Sequence, residues 1–213
     1  MKNKNRAQIV QTLLHRLFPH PTMSLKHMDT YTLLIAVLLS ARCTDKKVNE
    51  VTPRLFTMAS SPKVMATLEQ DIIREIIKPC GLSHTKAKAI KSLSEILVKK
   101  YDGKVPHKLE ALKTLPGVGH KTALVIMAQA FNQNTFPVDT HIHRCAKRWK
   151  LSSGISIKQT ETDLKKLFPP SSWNKLHLQI IHYGRKFCPA QHHKLSKCPI
   201  CLALEVYKDH ESL

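Results

Sequence analysis

Apolar residues in this chain recur every three or four positions, and no stretch alternates apolar with polar residues over a useful length. A strand half-buried in a sheet needs period two and an amphipathic helix needs period 3.6, so the pattern restricts the chain to helices. Ile9, Val10, Leu13, Leu14 and Leu17 share one face of a first helix that must end before Phe18-Pro19. Asp29 and Thr30 are N-cap candidates for a second helix running to Ala41. That helix is apolar nearly all round, which predicts a central, buried position. Ser61-Pro62 reads as an N-cap followed by the first helical residue. Ile72, Ile73, Ile76 and Ile77 mark an amphipathic helix stopped at Pro79. Ile90, Leu93, Ile96 and Leu97 mark a longer one closed by the Asp102-Gly103 turn. A short helix around Leu109 and Leu112, and further helices over 120–131, 140–151, 157–168 and 173–182, bring the total to about ten.

The 213 residues carry 34 Lys and Arg against 15 Asp and Glu, a net charge of +19. The length suits one or two compact domains with a real core. Apolar residues make up 42% and charged residues 23%, so this is a folded basic protein and not a disordered basic tail. Such an excess is what a polyanion binder needs, because Lys and Arg contacts to phosphates release counterions. A charge kept for solubility and a binder of acidic membranes are the competing explanations. The longest apolar run, Leu33 to Leu39, is far too short to span a bilayer. Residues 1–8 are polar and basic with no apolar signal segment behind them, which predicts a cytoplasmic protein.

Residues 107–131 read HKLEALKTLPGVGHKTALVIMAQAF. A short helix meets Leu115-Pro116-Gly117-Val118-Gly119, and a second helix begins. Two glycines one residue apart let the backbone turn tightly and approach a ligand closely. The new helix then opens with N–H groups that lack partners within it, which suits a phosphate. No Lys-Ser/Thr follows at nucleotide P-loop spacing, so the segment reads as a helix-hairpin-helix that grips a DNA backbone. The competing reading is a glycine-containing turn inside a core.

Lys121 falls in the first turn of the second helix. The positive end of that helix disfavours its ammonium, and partial burial would do so further, which would leave a usable amine nucleophile. Asp139 stands just before Thr140 at the next helix start. A carboxylate there can act as acid and base or stabilise a cationic sugar. The plainer roles are a phosphate contact for Lys121 and an N-cap for Asp139.

The combination LPGVGHKTA with VDTHIHR eighteen residues after the lysine resembles the endonuclease III family of DNA glycosylases. The likeness extends upstream through LLIAVLLSARCTD and GLSHTKAKAI and downstream through IIHYGRKFCPA, from Leu14 to Cys201. It implies an all-α fold of two closely packed helical domains with a DNA-binding cleft between them. One is a six-helix barrel with the hairpin, here 23–133. The other combines 1–22 with 134–213 and carries a cysteine-containing C-terminal loop. The resemblance implies a monomeric base excision repair enzyme that flips the damaged nucleotide out of duplex DNA. Lys121 would attack the sugar, expel an oxidised pyrimidine, form a Schiff base and cut the strand by β-elimination. Asp139 would assist Lys121. Related adenine glycosylases lack the lysine. Leu82 and Arg42 match positions that wedge into DNA, although many relatives carry Gln in place of Arg42. His120 stands where Arg is common. Leu115, Gly117, Val118 and Gly119 complete the expected DNA-binding set, and the carbonyls near Leu115 and Val118 are candidate ligands for a monovalent cation. A noncatalytic helix-hairpin-helix DNA-binding protein and a monofunctional mismatch glycosylase are the alternatives.

The family's four terminal cysteines, spaced C-x6-C-x2-C-x5-C, hold a [4Fe–4S] cluster. This chain has Cys188, Cys198 and Cys201, with nine residues in the first gap and Tyr207 at the fourth position. Three outcomes stay open. One is a cluster completed by His192, His193 or His210. Another is a zinc ion held by three Cys and one His. The last is no metal, with the loop presenting Lys194 and Lys197 to DNA. Cys43, Cys80 and Cys145 read as ordinary buried thiols, and a disulfide scaffold is not expected.

Overall fold

The computed structural model describes residues 2–210, in which twelve α-helices and three short 3-10 turns are present and no strand occurs. The chain divides into two compact units, Met23–Gln133 and Met1–Thr22 with Asn134–Leu213.

In the 23–133 unit, helix α2 (Thr30–Leu39) is buried from Tyr31 to Leu39. A helix apolar on every side has no face to give to water, and each fully buried Leu or Ile contributes roughly 1.5–3 kcal/mol. Its start is fixed by a capping box: Asp29 Oδ1 accepts from the Thr32 N–H at 2.8 Å, and Thr32 Oγ1 accepts from the Asp29 N–H at 2.9 Å. The helix stops at Leu39, two residues before the expected Ala41. The Ser40 hydroxyl donates to the Val37 carbonyl, and Arg42 turns left-handed at φ +54°. Around α2 pack α3 (Asp45–Met58), α6 (Ser83–Tyr101) and α8 (His120–Phe131). The shorter α4 (Pro62–Thr67) and α5 (Gln70–Ile77) lie on α6, and α7 (Leu109–Lys113) lies on α8.

Helix α3 is missing from the sequence reading. It contains Pro53 in its interior, yet Val48, Val51, Thr52, Leu55 and Phe56 form a buried stripe on both sides of it. Packing of that stripe outweighs the roughly 3 kcal/mol cost of an internal proline.

The unit formed from the two ends of the chain contains α1 (Lys2–Leu17), α9 (Thr140–Arg148), α10 (Ile157–Leu167), α11 (Trp173–Lys186) and α12 (Pro199–His210). Helix α1 packs on α10, α11 and α12, and α9 packs on α10 and α11. Buried Gln179 on α11 donates through Nε2 to the carbonyls of Leu14 and Phe18, at 3.3 and 2.7 Å. A residue more than 150 positions away thus satisfies carbonyls that the end of α1 leaves open. Arg6 does the reverse service, its Nε donating to the Trp149 carbonyl at 3.1 Å just beyond α9. Helix α9 ends at Arg148 and not at Leu151, because Lys150 is left-handed at φ +55°. Helix α12 occupies residues that the sequence reading treats as part of a loop, with Pro199 as its first residue.

Candidate DNA-repair site and metal-ligand cluster

The hairpin lies between α7 and α8. Gly117 adopts φ +77°, and a Cβ placed there would stand 2.8 Å from Leu38 Cδ1 and 2.9 Å from Ala89 Cβ. Both the backbone angle and the packing therefore require glycine. Gly119 differs: its φ is −81° and a Cβ would meet nothing within 4 Å. It is the N-cap of α8, and it brings no side-chain cap to that helix. The surface it leaves is bare backbone at a positive helix end. Leu115 and Val118 are buried in the core of this unit, so neither side chain is presented to a ligand. The Leu115 carbonyl already accepts from the Val118 N–H at 3.0 Å. His120 is exposed at the first position of α8.

Lys121 follows in the first turn of α8 and is exposed. The partial burial considered from sequence is absent.

Arg42 and Leu82 share an unusual property. Both are exposed, and both have left-handed backbones, at φ +54° and +52°. Leu82 is 54% exposed, which removes the reading of a core leucine. Holding a non-glycine residue in this region costs about 1 kcal/mol or more, so the surroundings must impose it. A buried lysine that the sequence does not single out lies next to both turns. Lys86 is only 5% exposed, and its Nζ donates to the Leu39 carbonyl at 2.9 Å and the Cys80 carbonyl at 3.0 Å. It ties the end of α2, which leads to Arg42, to the turn that leads to Leu82. Burial lowers its pKa, and the thiols of Cys43 and Cys80 oppose that shift. The signal was a lysine on the 86–90–93–97 stripe of α6, where every other member is buried and apolar.

Asp139 belongs to the other unit. It is 9% exposed and is the N-cap of α9, with Oδ1 accepting from the Ile142 N–H at 2.8 Å. The plain role is filled, and the cap uses one of the two carboxylate oxygens. Two arginines on the same helix, also unread from sequence, fasten the start of the cysteine loop. Arg144 donates through Nε and one terminal nitrogen to the Cys188 carbonyl, at 3.1 and 2.9 Å, and to the Gly184 carbonyl at 3.0 Å. Arg148 donates to the carbonyls of Pro189 and Ala190 and to Cys188 Sγ, the last at 3.3 Å.

Cys188, His193, Cys198 and Cys201 offer four ligand atoms that all lie within 4.8 Å of one another. This cluster is able to hold a metal ion. Of the candidate histidines, His193 joins it and His192 does not. The side chains of Tyr207 and His210 lie outside the described residues. His193 Nε2 is buried without a hydrogen-bond partner. The neighbouring thiols of Cys145, Cys198 and Cys201, with the Arg148 guanidinium, hold the Cys188 thiol far below its ordinary pKa. The Tyr183 hydroxyl lies 3.2 Å from Cys198 Sγ and accepts from the Ile200 N–H at 2.8 Å. Cys145 is buried beside Cys188, and Cys43 beside Cys80 is half-buried; none of the six cysteines forms a disulfide.

No described helix is long and apolar enough to cross a membrane. Residues 35–170 match the HhH-GPD superfamily of base excision DNA repair proteins. Endonuclease III of Escherichia coli strain K12 is 38% identical over 198 residues, covering 93% of this chain and 94% of that protein. Endonuclease III of Synechocystis is 37% identical over 198 residues, covering 92% and 90%. Among solved structures, a non-covalent endonuclease III–DNA complex aligns with a TM-score of 0.91 at 36% identity, over 98% of both chains. A trapped endonuclease III–DNA covalent intermediate aligns at 0.89 and 36%, covering 92% of this chain and 93% of that one. A thermostable thymine-DNA glycosylase, at 22% identity and 0.81, shares the fold. The chain belongs to the HhH-GPD superfamily of base excision DNA repair proteins and, within it, to the endonuclease III family.

Proposed function

We propose that this protein is a bifunctional DNA glycosylase and abasic-site lyase of base excision repair that removes oxidised pyrimidines from duplex DNA. The observation that carries the reading is an exposed lysine in the first turn of the helix leaving a glycine hairpin, in a chain similar throughout to an endonuclease III trapped covalently on DNA.

The hairpin grips the backbone. Gly117 makes the turn, and Gly119 opens the helix end to a phosphate with no side chain in the way. Leu82 enters the stack beside the extruded nucleotide, and Arg42 addresses the orphaned base. Extrusion costs least where damage already weakens stacking.

Lys121 reacts as the neutral amine. Its Nζ lone pair attacks C1′ of the extruded nucleotide, and the bond from C1′ to the base breaks, the base leaving with the bonding electrons. Loss of a proton from nitrogen and cleavage of the C1′–O4′ bond open the sugar ring to a Schiff base. Removal of a C2′ proton expels the 3′ phosphate by β-elimination, and water then hydrolyses the imine to regenerate the amine. Asp139 helps deprotonate Lys121 and stabilises positive charge on the sugar, while its Oδ1 stays on the α9 cap. No step passes through the cysteine cluster. The reading carries with it a monomeric enzyme acting on DNA in the cytoplasm.

The test is borohydride trapping on a duplex containing one thymine glycol, with Lys121→Gln in parallel. A covalent adduct in the wild type alone supports imine chemistry and Lys121 together. Base release without an adduct indicates a monofunctional glycosylase. Binding without base release or cleavage, on abasic duplex as well, indicates a DNA-binding protein that has lost the reaction.

A further inference from the structure

The C-terminal donors depart from a four-thiolate cubane in three ways. Only three cysteines are present, the first gap is nine residues long, and an imidazole occupies the place of the fourth donor. The decisive departure is size. In a [4Fe–4S] cube each thiolate sits on its own iron, so the four donor atoms are spread around a four-iron core and stand farther apart than the donors of one ion. Around one tetrahedral zinc, with bonds of about 2.0–2.3 Å, they stand about 3.5–4 Å apart. Here every pair lies within 4.8 Å. That spacing suits four donors on one ion and is tighter than a four-iron core calls for.

The chain path explains how the set closes. Cys188 is presented just after α11, and Cys198 and Cys201 flank the first residues of α12, a C-x2-C pair of the kind that holds zinc. The long segment between them carries His193 back to the three sulfurs. Its Nε2 is buried without a partner, which a bound cation would repair. Polar partners already lie on two of the sulfurs: Arg148 donates to Cys188, and the Tyr183 hydroxyl stands beside Cys198. Metal thiolates call for such outer partners.

We propose that Cys188, His193, Cys198 and Cys201 bind a single zinc ion as a closed Cys3His structural centre, in place of the [4Fe–4S] cluster that the family resemblance implies. Lengthening of the loop and replacement of the last cysteine are then two halves of one change, since the longer loop supplies the donor that the C-terminal helix no longer provides.

The full chain, purified without oxygen from cells supplied with both iron and zinc, is analysed for zinc, iron and acid-labile sulfide. The expected result is about one zinc per chain with neither iron nor sulfide. Exchange with Co2+ gives the intense visible bands of a tetrahedral sulfur-rich site. His193→Ala lowers zinc affinity by on the order of 100-fold in chelator competition, whereas His193→Cys, which restores a fourth soft donor, keeps the ion and shifts the cobalt spectrum. Circular dichroism checks that each variant is folded. Iron and sulfide at about four each per chain overturn the proposal. So does a wild-type protein that binds no zinc on reconstitution, or a zinc affinity indifferent to His193→Ala. None of these readouts depends on repair activity, so failure here leaves the enzymatic reading standing.

Discussion

Gly117 sits so close to Leu38 that a methyl group on it would stand 2.8 Å from the leucine Cδ1, with Ala89 pressing from the other side at 2.9 Å. The hairpin is thus packed directly onto the buried helix α2. Gly117→Ala must both clash and hold φ +77°, and should destabilise the protein by about 2–4 kcal/mol in urea denaturation. Gly119→Ala adds its methyl to open space and should change stability by less than about 1 kcal/mol. Its effect should fall on DNA affinity, measured by fluorescence anisotropy. Equal stability losses in the two variants would contradict this division of labour.

Asp139 serves as an N-cap, and the proposed chemistry gives it a second task. Asparagine preserves a cap acceptor and removes the charge. Asp139→Asn should therefore stay within about 0.5 kcal/mol of wild-type stability, while Asp139→Ala loses about 1 kcal/mol. Both should slow base excision by on the order of 100-fold or more. Retained activity in Asp139→Asn would confine the residue to its structural role.

Leu82 is exposed, so truncating it removes little packing. Leu82→Ala should leave the melting temperature nearly unchanged and reduce excision from a duplex on the order of 10-fold. Excision from single-stranded damaged DNA, which needs no wedge, should be much less affected. A loss equal on both substrates would count against a wedging role.

Lys86→Met keeps the length of the side chain and removes its donors. The carbonyls of Leu39 and Cys80 are then left without the ammonium, which should cost about 2–3 kcal/mol. Hydrogen exchange should quicken over residues 40–43 and 79–82 and not along the core of α6. A uniform increase across the unit would show that Lys86 contributes only bulk stability.

Much of this architecture is written in short-range signals. The Asp29 and Ser61 caps, the Asp102-Gly103 stop and the helix from His120 to Phe131 lie where local chemistry puts them. Local signals fail where tertiary packing overrides them. Pro53 is tolerated inside α3 because the stripe on either side of it is buried, a fact no window around the proline contains. The same holds for the sites. Lys121 and the glycine hairpin are legible as residue types in order. That Leu82 is exposed and left-handed is not, and neither is the bridge by which Lys86 joins the Cys80 carbonyl to the Leu39 carbonyl, 41 residues earlier. The choice of His193 over His192 depends on the path of a loop whose first carbonyls are held by Arg144 and Arg148, more than forty positions away.

One ammonium holds the turn before Arg42 and the turn before Leu82. The two side chains are therefore not independent probes. A displacement of either turn should be felt at the other through Lys86. In a double-mutant cycle, Arg42→Ala and Leu82→Ala should be coupled in the wild-type background and become additive once Lys86 is methionine.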